Sequence, residues 1–350
     1  MTQITLGIIG GGQLGSMMAT SAKNLKIKTV IFSDDEIAPG QMFCDEFIFG
    51  DYNDISKIKE FTDKVDLVTF EFENIPYSAL KKINEFKKVF PKPEVNKIIQ
   101  NRLTEKDFVN RLNIKTTKYK LIKNNDDLKK NINLLPGILK TCTLGYDGKG
   151  QYKINNFKEA QNIKIDFNQK YILEKLVDLK IEISVIIARF GKDRYEIYEP
   201  IENEHKDQIL KFSKIPADID EKNFLEATES AKRIAEALDY IGILCVEFFI
   251  DKKNVLYVNE VAPRVHNSGH LTINSHNISQ FENHIRAVCN LDKIETKRLY
   301  SAEMVNLIGN DISLYKDKLF KNNEFFFDYK KKDIKPKRKM GHLTKIFKKN

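Results

Sequence analysis

Long apolar runs are missing from this chain of 350 residues. A stretch such as 241–250, IGILCVEFFI, reaches only about half a membrane span and carries Glu247, which excludes a transmembrane segment. The first residues have no basic n-region, so no signal peptide is predicted. Cysteine is scarce. Cys44, Cys142, Cys245 and Cys289 fall at no metal-ligand or redox spacing. They are expected as small buried apolar side chains in a reducing cytoplasm. A Walker loop, internal repeats and low-complexity segments are absent too. What is present, 41% hydrophobic and 31% charged residues, predicts a soluble globular chain of two or three structural units.

The net charge of +9 is concentrated at one end. From Lys316 to Asn350 there are thirteen Lys and Arg against four Asp and Glu, which accounts for the whole excess. A solvated basic face is the plain explanation. The alternative is a site for an anion or for nucleic acid. The stretch KPKRKMGHLT favours an anion site, because ordered-looking sequence resumes inside the basic run.

The first ninety residues alternate strand patterns (4–9, 27–32, 46–50, 66–71) with helix patterns (13–24, 54–63, 76–87). This is the signature of a parallel sheet. FPKPE at 90–94 marks a boundary. Strands are expected at 137–141, 170–176 and 181–190, a long helix at 221–239, and strands 243–250 and 255–261 joined by DKKN. A helix at 277–290 and a small basic terminal unit complete the chain.

GIIGGGQLG at 7–15 spaces Gly10, Gly12 and Gly15 as G-x-G-x-x-G, with Asp34 and Asp35 about twenty residues on. That reads as a nicotinamide-dinucleotide site. The safer content is a glycine turn whose N–H groups face an anion of some kind. A second glycine loop, KTCTLGYDGKGQ at 140–151, places Gly145, Gly148 and Gly150 around Asp147 and Lys149, after Lys140 on a strand. It suits a flap over a triphosphate, or a plain surface hairpin. Glu247 and Glu260 stand on two apolar strands. With Ile250 opposite Val255, Glu247 would face Val258 and lie diagonal to Glu260, close enough to share magnesium. Two acids there are costly to bury unless a cation pairs them, and Asn259 or Asn267 can add an oxygen. NEVAPRVHNSGH at 259–270 gathers Arg264, His266, Asn267, Ser268 and His270 with no zinc spacing, and reads as an anion-recognition loop.

Together these segments resemble the ATP-grasp enzymes, and within them the 5-(carboxyamino)imidazole ribonucleotide synthetases of purine biosynthesis. GGGQLGSM, TFEFENIP, QNRLTEK, GYDGKGQ, YILEKLVDLKIEIS, PIENEH, VEFF, NEVAPRVHNSGH, ISQFENHIRA and RKMGH occur in the family's order across essentially the whole chain. The resemblance implies an α/β (α+β overall) ATP-grasp fold. A Rossmann-like domain would span 1–95, an ATP-grasp domain 96–290 with a lid at about 110–178, and a small C-terminal domain 291–350.

It also implies roles. The first glycine loop would bind no dinucleotide but face the ribonucleotide, with Gln13, Leu14 and Glu73. Arg102, Lys140 and the loop Gly145, Tyr146, Asp147, Gly148, Lys149, Gly150, Gln151 would surround the ATP phosphates. Glu174, Lys175, Leu176 and Val177 would meet adenine, mostly through backbone. Glu182 would accept from the ribose hydroxyls, and His205 and Asn259 would lie beside the nucleotide. Glu247 and Glu260 would hold magnesium. Tyr146, Asp147, Arg264, His266, Asn267 and Ser268 would contact the imidazole ribonucleotide, and Lys331, Arg338 and Lys339 its phosphate. Asp147, Arg264 and Lys140 are the expected catalytic groups.

The chain departs from the family pattern at several positions. Val265 replaces a common proline and Ser16 a common arginine. Gln208 and Lys330 replace glycines, and Phe327 replaces a histidine. The implied reaction is ATP-dependent carboxylation of 5-aminoimidazole ribonucleotide by bicarbonate, in a cytoplasmic homodimer with no nucleic-acid or membrane partner. Rivals are a formate-dependent glycinamide ribonucleotide transformylase, an NAD(P) oxidoreductase and a nucleic-acid binder. The last lacks an aromatic stacking motif.

Overall fold

The structure, a computed structural model, describes residues 3–143, 150–163, 165–166 and 168–348. Strands β1 (Thr5–Ile9), β2 (Lys28–Ser33), β3 (Glu46–Phe49) and β4 (Leu67–Phe70) form a parallel sheet in the order β3-β2-β1-β4. Helix α1 (Gln13–Asn24) follows β1, α2 (Ile55–Thr62) precedes β4, and α3 (Tyr77–Phe86) follows it. The strands read as apolar runs because both faces are covered. Leu6, Ile8 and Ile31 pack with Met18 and Ala22 of α1. Ile9, Val30 and Phe32 pack with Phe61 and Leu80 on the opposite side. Asp54 starts α2 by accepting the N–H groups of Ser56 and Lys57. These elements lie within one residue of the expected bounds.

After the boundary come α4 (Pro93–Ile99) and α5 (Arg102–Arg111). A smaller antiparallel sheet then forms from β5 (Tyr119–Ile122), β6 (Gly137–Thr141), β7 (Gln151–Ile154) and β8 (Tyr171–Lys175), in the order β5-β8-β6-β7. Helices α6 (Asn125–Lys130) and α7 (Phe157–Asn162) accompany it. Its own core holds Ile122, Leu139, Ile154 and Leu173. Lys140 therefore projects from a strand whose neighbours are fixed on both sides.

The central sheet has nine strands. They are β9 (Leu179–Gly191), β10 (Arg194–Ile197), β11 (Ile201–Lys206), β12 (Ile209–Ile215), β13 (Gly242–Asp251), β14 (Leu256–Ala262), β15 (Tyr300–Ile308), β16 (Glu324–Asp328) and β17 (Lys339–Lys348). The order is β14-β13-β9-β11-β12-β15-β17-β16, with β10 on β9. Helix α8 (Glu221–Ala237) buries Ala227, Ala231 and Ile234 against one face, together with Phe108 and Val109 of α5. On the other face α10 (Gln280–Val288), which follows the single turn α9 (Thr272–Ser275), sets Phe281 and Ile285 into the cluster that also holds Leu6 and Met18. That cluster joins the parallel sheet to the central one. The terminal strands β15 to β17 extend the central sheet, because β15 pairs with β12. Among the described residues no helix is long and apolar enough to cross a membrane. Cys142, Cys245 and Cys289 are buried and Cys44 is half-buried.

Candidate active site

The loops after β1, β2 and β4, the middle of the central sheet and the basic segment 331–339 enclose a cavity of about 1190 Å³. Of the expected residues, Gln13, Leu14, Glu73, Arg102, Lys140, Gln151, Glu182, His205, Glu247, Asn259, Glu260, Arg264, His266, Asn267, Lys331, Arg338 and Lys339 line it. Gly145, Tyr146, Asp147, Gly148 and Lys149 lie outside the described residues. Gly150, Glu174, Lys175, Leu176, Val177 and Ser268 do not line the cavity.

The carboxylate pair requires a correction of register. Phe248 pairs with Val258, but Glu247 pairs with Glu260, so Asn259 is an extra residue in a β-bulge. Glu247 and Glu260 are directly opposite rather than diagonal. A bulge adds one residue to one strand, which a count from the hairpin turn cannot foresee. Glu247 Oε1 lies 2.9 Å from His266 Nε2, and Glu260 Oε2 accepts from Arg102 at 3.1 Å. Burial works against the Glu247 charge, but the hydrogen bond and charge of His266 outweigh it and hold the carboxyl below its usual range. Asn259 Oδ1 is buried beside them with no hydrogen-bond partner. Among the described residues no set of three His, Cys, Asp or Glu side chains gathers as a metal cluster. Two carboxylates and an orphaned amide oxygen suit magnesium, which takes few protein ligands and fills the rest of its shell with phosphate and water.

Next to this pair, Lys140 donates to Glu174 at 3.0 Å. Lys106 lies 3.5 Å from the same Glu174 oxygen and donates to Asn259 O at 3.2 Å. Burial raises the Glu174 carboxyl, but Lys106 and Lys140 pull it down to about 2. The Lys140 ammonium is shifted down by burial, against the pull of Glu174. Glu174 thus points away from the cavity as a buried counter-ion to two lysines.

The glycine loop holds an anion that sequence reading missed. Gly12 and Gly15 donate their backbone N–H groups to the carboxylate of Glu71, from the residue after β4. Gly10 sits at φ +97°, and a Cβ there would lie 2.5 Å from Glu71 Cγ. A Cβ on Gly12 would lie 2.7 Å from Glu71 Oε1. The glycine spacing makes room for a carboxylate of the chain itself. The signal for it, an acid at the end of the strand beside β1, depends on a pairing of strands sixty residues apart.

Glu73 is ion-paired with Arg264, whose guanidinium also donates to Val265 O at 3.1 Å. Arg264 outweighs burial and lowers the Glu73 carboxyl. Glu182 accepts from His205 Nδ1 at 2.5 Å, and that bond raises the His205 pKa against burial. Ser268 is fully buried and sits behind His266, with its hydroxyl 2.9 Å from Nδ1. It does not line the cavity and supports the recognition loop from beneath. Lys331 donates to Lys339 O at 2.8 Å and Arg338 to Asp333 O at 3.1 Å, so the basic segment folds on itself around the cavity mouth. Lys335 and Lys337 line it as well and were not expected. Gln208 and Lys330, which replace usual glycines, have φ of +66° and +55°. Both keep the left-handed backbone that glycine favours.

Residues 1–100 match the ribonucleotide synthetase preATP-grasp domain, 107–281 the ATP-grasp domain, and 302–350 the phosphoribosylaminoimidazole carboxylase C-terminal domain. The N5-carboxyaminoimidazole ribonucleotide synthase of Brucella melitensis is 41% identical over 98% of this chain and 96% of its own. The crystal structure of the Staphylococcus aureus N5-carboxyaminoimidazole synthetase complexed with ADP has a TM-score of 0.93 at 38% identity, covering 98% of this chain and 93% of that one. The Aspergillus clavatus enzyme in complex with ADP and 5-aminoimidazole ribonucleotide has a TM-score of 0.91 at 27% identity, covering 99% and 94%. The chain belongs to the N5-carboxyaminoimidazole ribonucleotide synthase family.

Proposed function

We propose that the chain is an ATP-grasp carbon–nitrogen ligase that carboxylates 5-aminoimidazole ribonucleotide with bicarbonate, giving 5-(carboxyamino)imidazole ribonucleotide, ADP and phosphate. One observation carries the reading. The facing carboxylates Glu247 and Glu260, the ammonium of Lys140 and the basic segment 331–339 line a single cavity large enough for two nucleotides. The Aspergillus relative is described with ADP and 5-aminoimidazole ribonucleotide together. A nicotinamide reading loses its support, because Glu71 already occupies the amides that would meet a pyrophosphate.

The chemistry follows from charge. A bicarbonate oxygen attacks the γ-phosphorus, and the bond to the β–γ bridging oxygen breaks to release ADP. The exocyclic amine then attacks the carboxyl carbon of carboxyphosphate, or the carbon dioxide freed from it; the C–O bond to phosphate breaks, and the departing phosphate takes the proton that the amine loses. Lys140 neutralises phosphate charge from beneath, and Glu174 keeps that ammonium in place. Magnesium, held by Glu247 and Glu260 beside Asn259 Oδ1, would neutralise further phosphate charge. Arg264 stabilises the carboxyl transfer, with Glu73 orienting its guanidinium. Arg338, Lys331 and Lys339 capture the phosphate monoester. Carboxyphosphate hydrolyses quickly in water, so the transfer needs a site shielded from solvent. The reading includes a cytoplasmic homodimer, on the strength of the family.

Incubation with 13C-bicarbonate, ATP and 5-aminoimidazole ribonucleotide tests the reaction. The label is expected as a carbamate on the exocyclic nitrogen, one per ADP formed. Label on carbon, or transfer from formate to glycinamide ribonucleotide instead, would overturn it.

A further inference from the structure

Helix α5 runs along the outer side of β14, the edge strand of the central sheet. That side of β14 first meets the chain at Val258, which bridges to Thr116 and donates its N–H to Lys115 O at 2.8 Å. Further along, α5 supplies the partners, covering an edge that would otherwise stand open. Glu105 Oε1 accepts the Val261 N–H at 2.5 Å. Lys106 Nζ donates to Asn259 O at 3.2 Å. Arg102 reaches the Glu260 carboxylate itself, at 3.1 Å. The three residues are spaced i, i+3 and i+4, which puts them on one face of the helix.

The helix is a firm support. Asn101 caps it by accepting the N–H groups of Leu103 and Thr104. The Arg102 N–H donates to Cys142 O at 2.8 Å. Phe108 and Val109 sit in the same apolar cluster as Val258 and Val261. Glu105 and Lys106 are 3% and 2% exposed, and neither lines the cavity. A buried acid beside a buried base is costly unless each has a partner, and here each meets the backbone of β14. Lys106 also lies 3.5 Å from Glu174, the counter-ion of Lys140.

Asn259 O and the Val261 N–H belong to the two peptide groups on either side of the Glu260 Cα. Each peptide group is planar, so fixing both fixes φ and ψ of Glu260 and the direction of its Cα–Cβ bond. Strand pairing alone does this poorly here. Asn259 is the extra residue of the bulge, and the ladder with β13 is interrupted beside Glu260.

We propose that Glu105 and Lys106 are positioning residues for Glu260. They hold the peptide groups before and after it, and so aim its carboxylate, beside that of Glu247, at one divalent cation. This rests on the assignment of Glu247 and Glu260 to magnesium under the proposed function.

The probe is Mn2+ bound by the whole chain with saturating ADP, read by electron paramagnetic resonance. ADP binding in EDTA is the control. Glu105→Gln keeps an acceptor oxygen of the same reach and should hold Mn2+ within about twofold of wild type. Glu105→Met fills the same space without an acceptor. Its Mn2+ affinity should fall about tenfold or more, with ADP binding in EDTA changed by about twofold at most. Glu105→Asp guards against a folding failure of that variant. Its carboxyl stops one methylene short of the Val261 N–H, and Mn2+ should weaken in the same direction. Folded Met and Asp variants that bind Mn2+ as tightly as wild type overturn the proposal, even if their Tm falls. So does a Gln variant as weak as the Met one. A wild type that takes up no Mn2+ with ADP sinks the metal assignment and the proposal together. The expected pattern in a protein unable to carboxylate the ribonucleotide upholds the positioning role and sinks the functional reading alone.

Discussion

The carboxylate of Glu71 accepts the backbone N–H of Gly15 in the first turn of α1, and that of Gly12 just before it. A carboxylate at a helix N-terminus is favoured by the helix dipole and by its unmet donors. Burial pushes the Glu71 carboxyl up, and the two N–H groups pull it back in part. Glu71→Gln sets an amide NH2 against a buried N–H, a loss of about 1–3 kcal/mol. A lower Tm is expected, with a raised ribonucleotide KM and an unchanged ATP KM. Wild-type protein should show no heat of binding with NAD. An unaltered Tm and KM would remove Glu71 from this role.

Glu260→Gln keeps the shape of the side chain and the strand pairing with Glu247. It removes one of the two charges assigned to magnesium. Turnover is expected to fall by about a hundredfold or more, while the circular dichroism spectrum stays that of the folded protein. Chelation of magnesium should stop wild-type ADP release, and added magnesium should restore it. Near-wild-type turnover in the variant contradicts the metal assignment.

Lys330 and Gln208 hold left-handed backbone without being glycine. A side chain there costs about 1–2 kcal/mol. Lys330 makes a partly exposed ion pair with Asp328 at 3.3 Å, a contact of small worth. Lys330→Gly is therefore expected to raise Tm by a measurable amount and to leave the ribonucleotide KM alone, since Lys330 does not line the cavity. A lower Tm would show that the left-handed turn is not strained.

His284 ties the two halves of the molecule together. Its Nδ1 accepts the Ile243 N–H at 3.0 Å, so Nε2 carries the hydrogen and lies 2.7 Å from Thr69 Oγ1. Burial lowers its pKa to about 3, against about 6.5 in an unfolded chain. Between those values the unfolded state binds the extra proton, so stability rises with pH. The contribution is complete above about pH 6.5 and is lost as pH falls toward 3. His276 and His342, lowered by burial to about 4 and about 3, act in the same direction. His284→Gln should flatten the acid limb of Tm against pH without abolishing it. An unchanged slope would mean that His284 does not contribute to it.

Much of this was legible in the chain itself. The period of the apolar residues marked β1 to β4 and their helices, because each strand is covered on both faces and each helix on one. Glu247 and Glu260 stood out as acids on apolar strands. Their true register did not, because the bulge at Asn259 leaves no local mark. Glu71 was hidden for a similar reason: its partner amides lie far away in sequence. The full burial of Ser268 was hidden too, since nothing in HNSGH says which side of the loop is buried. The continuity of β12 with β15 is likewise a long-range pairing that no local signal announces.

ADP release, measured with purified protein and ATP, tests the assigned reaction most directly. Release should require bicarbonate and 5-aminoimidazole ribonucleotide together and fall to background when either is omitted. Equal release with glycinamide ribonucleotide and formate, or release indifferent to bicarbonate, would contradict it.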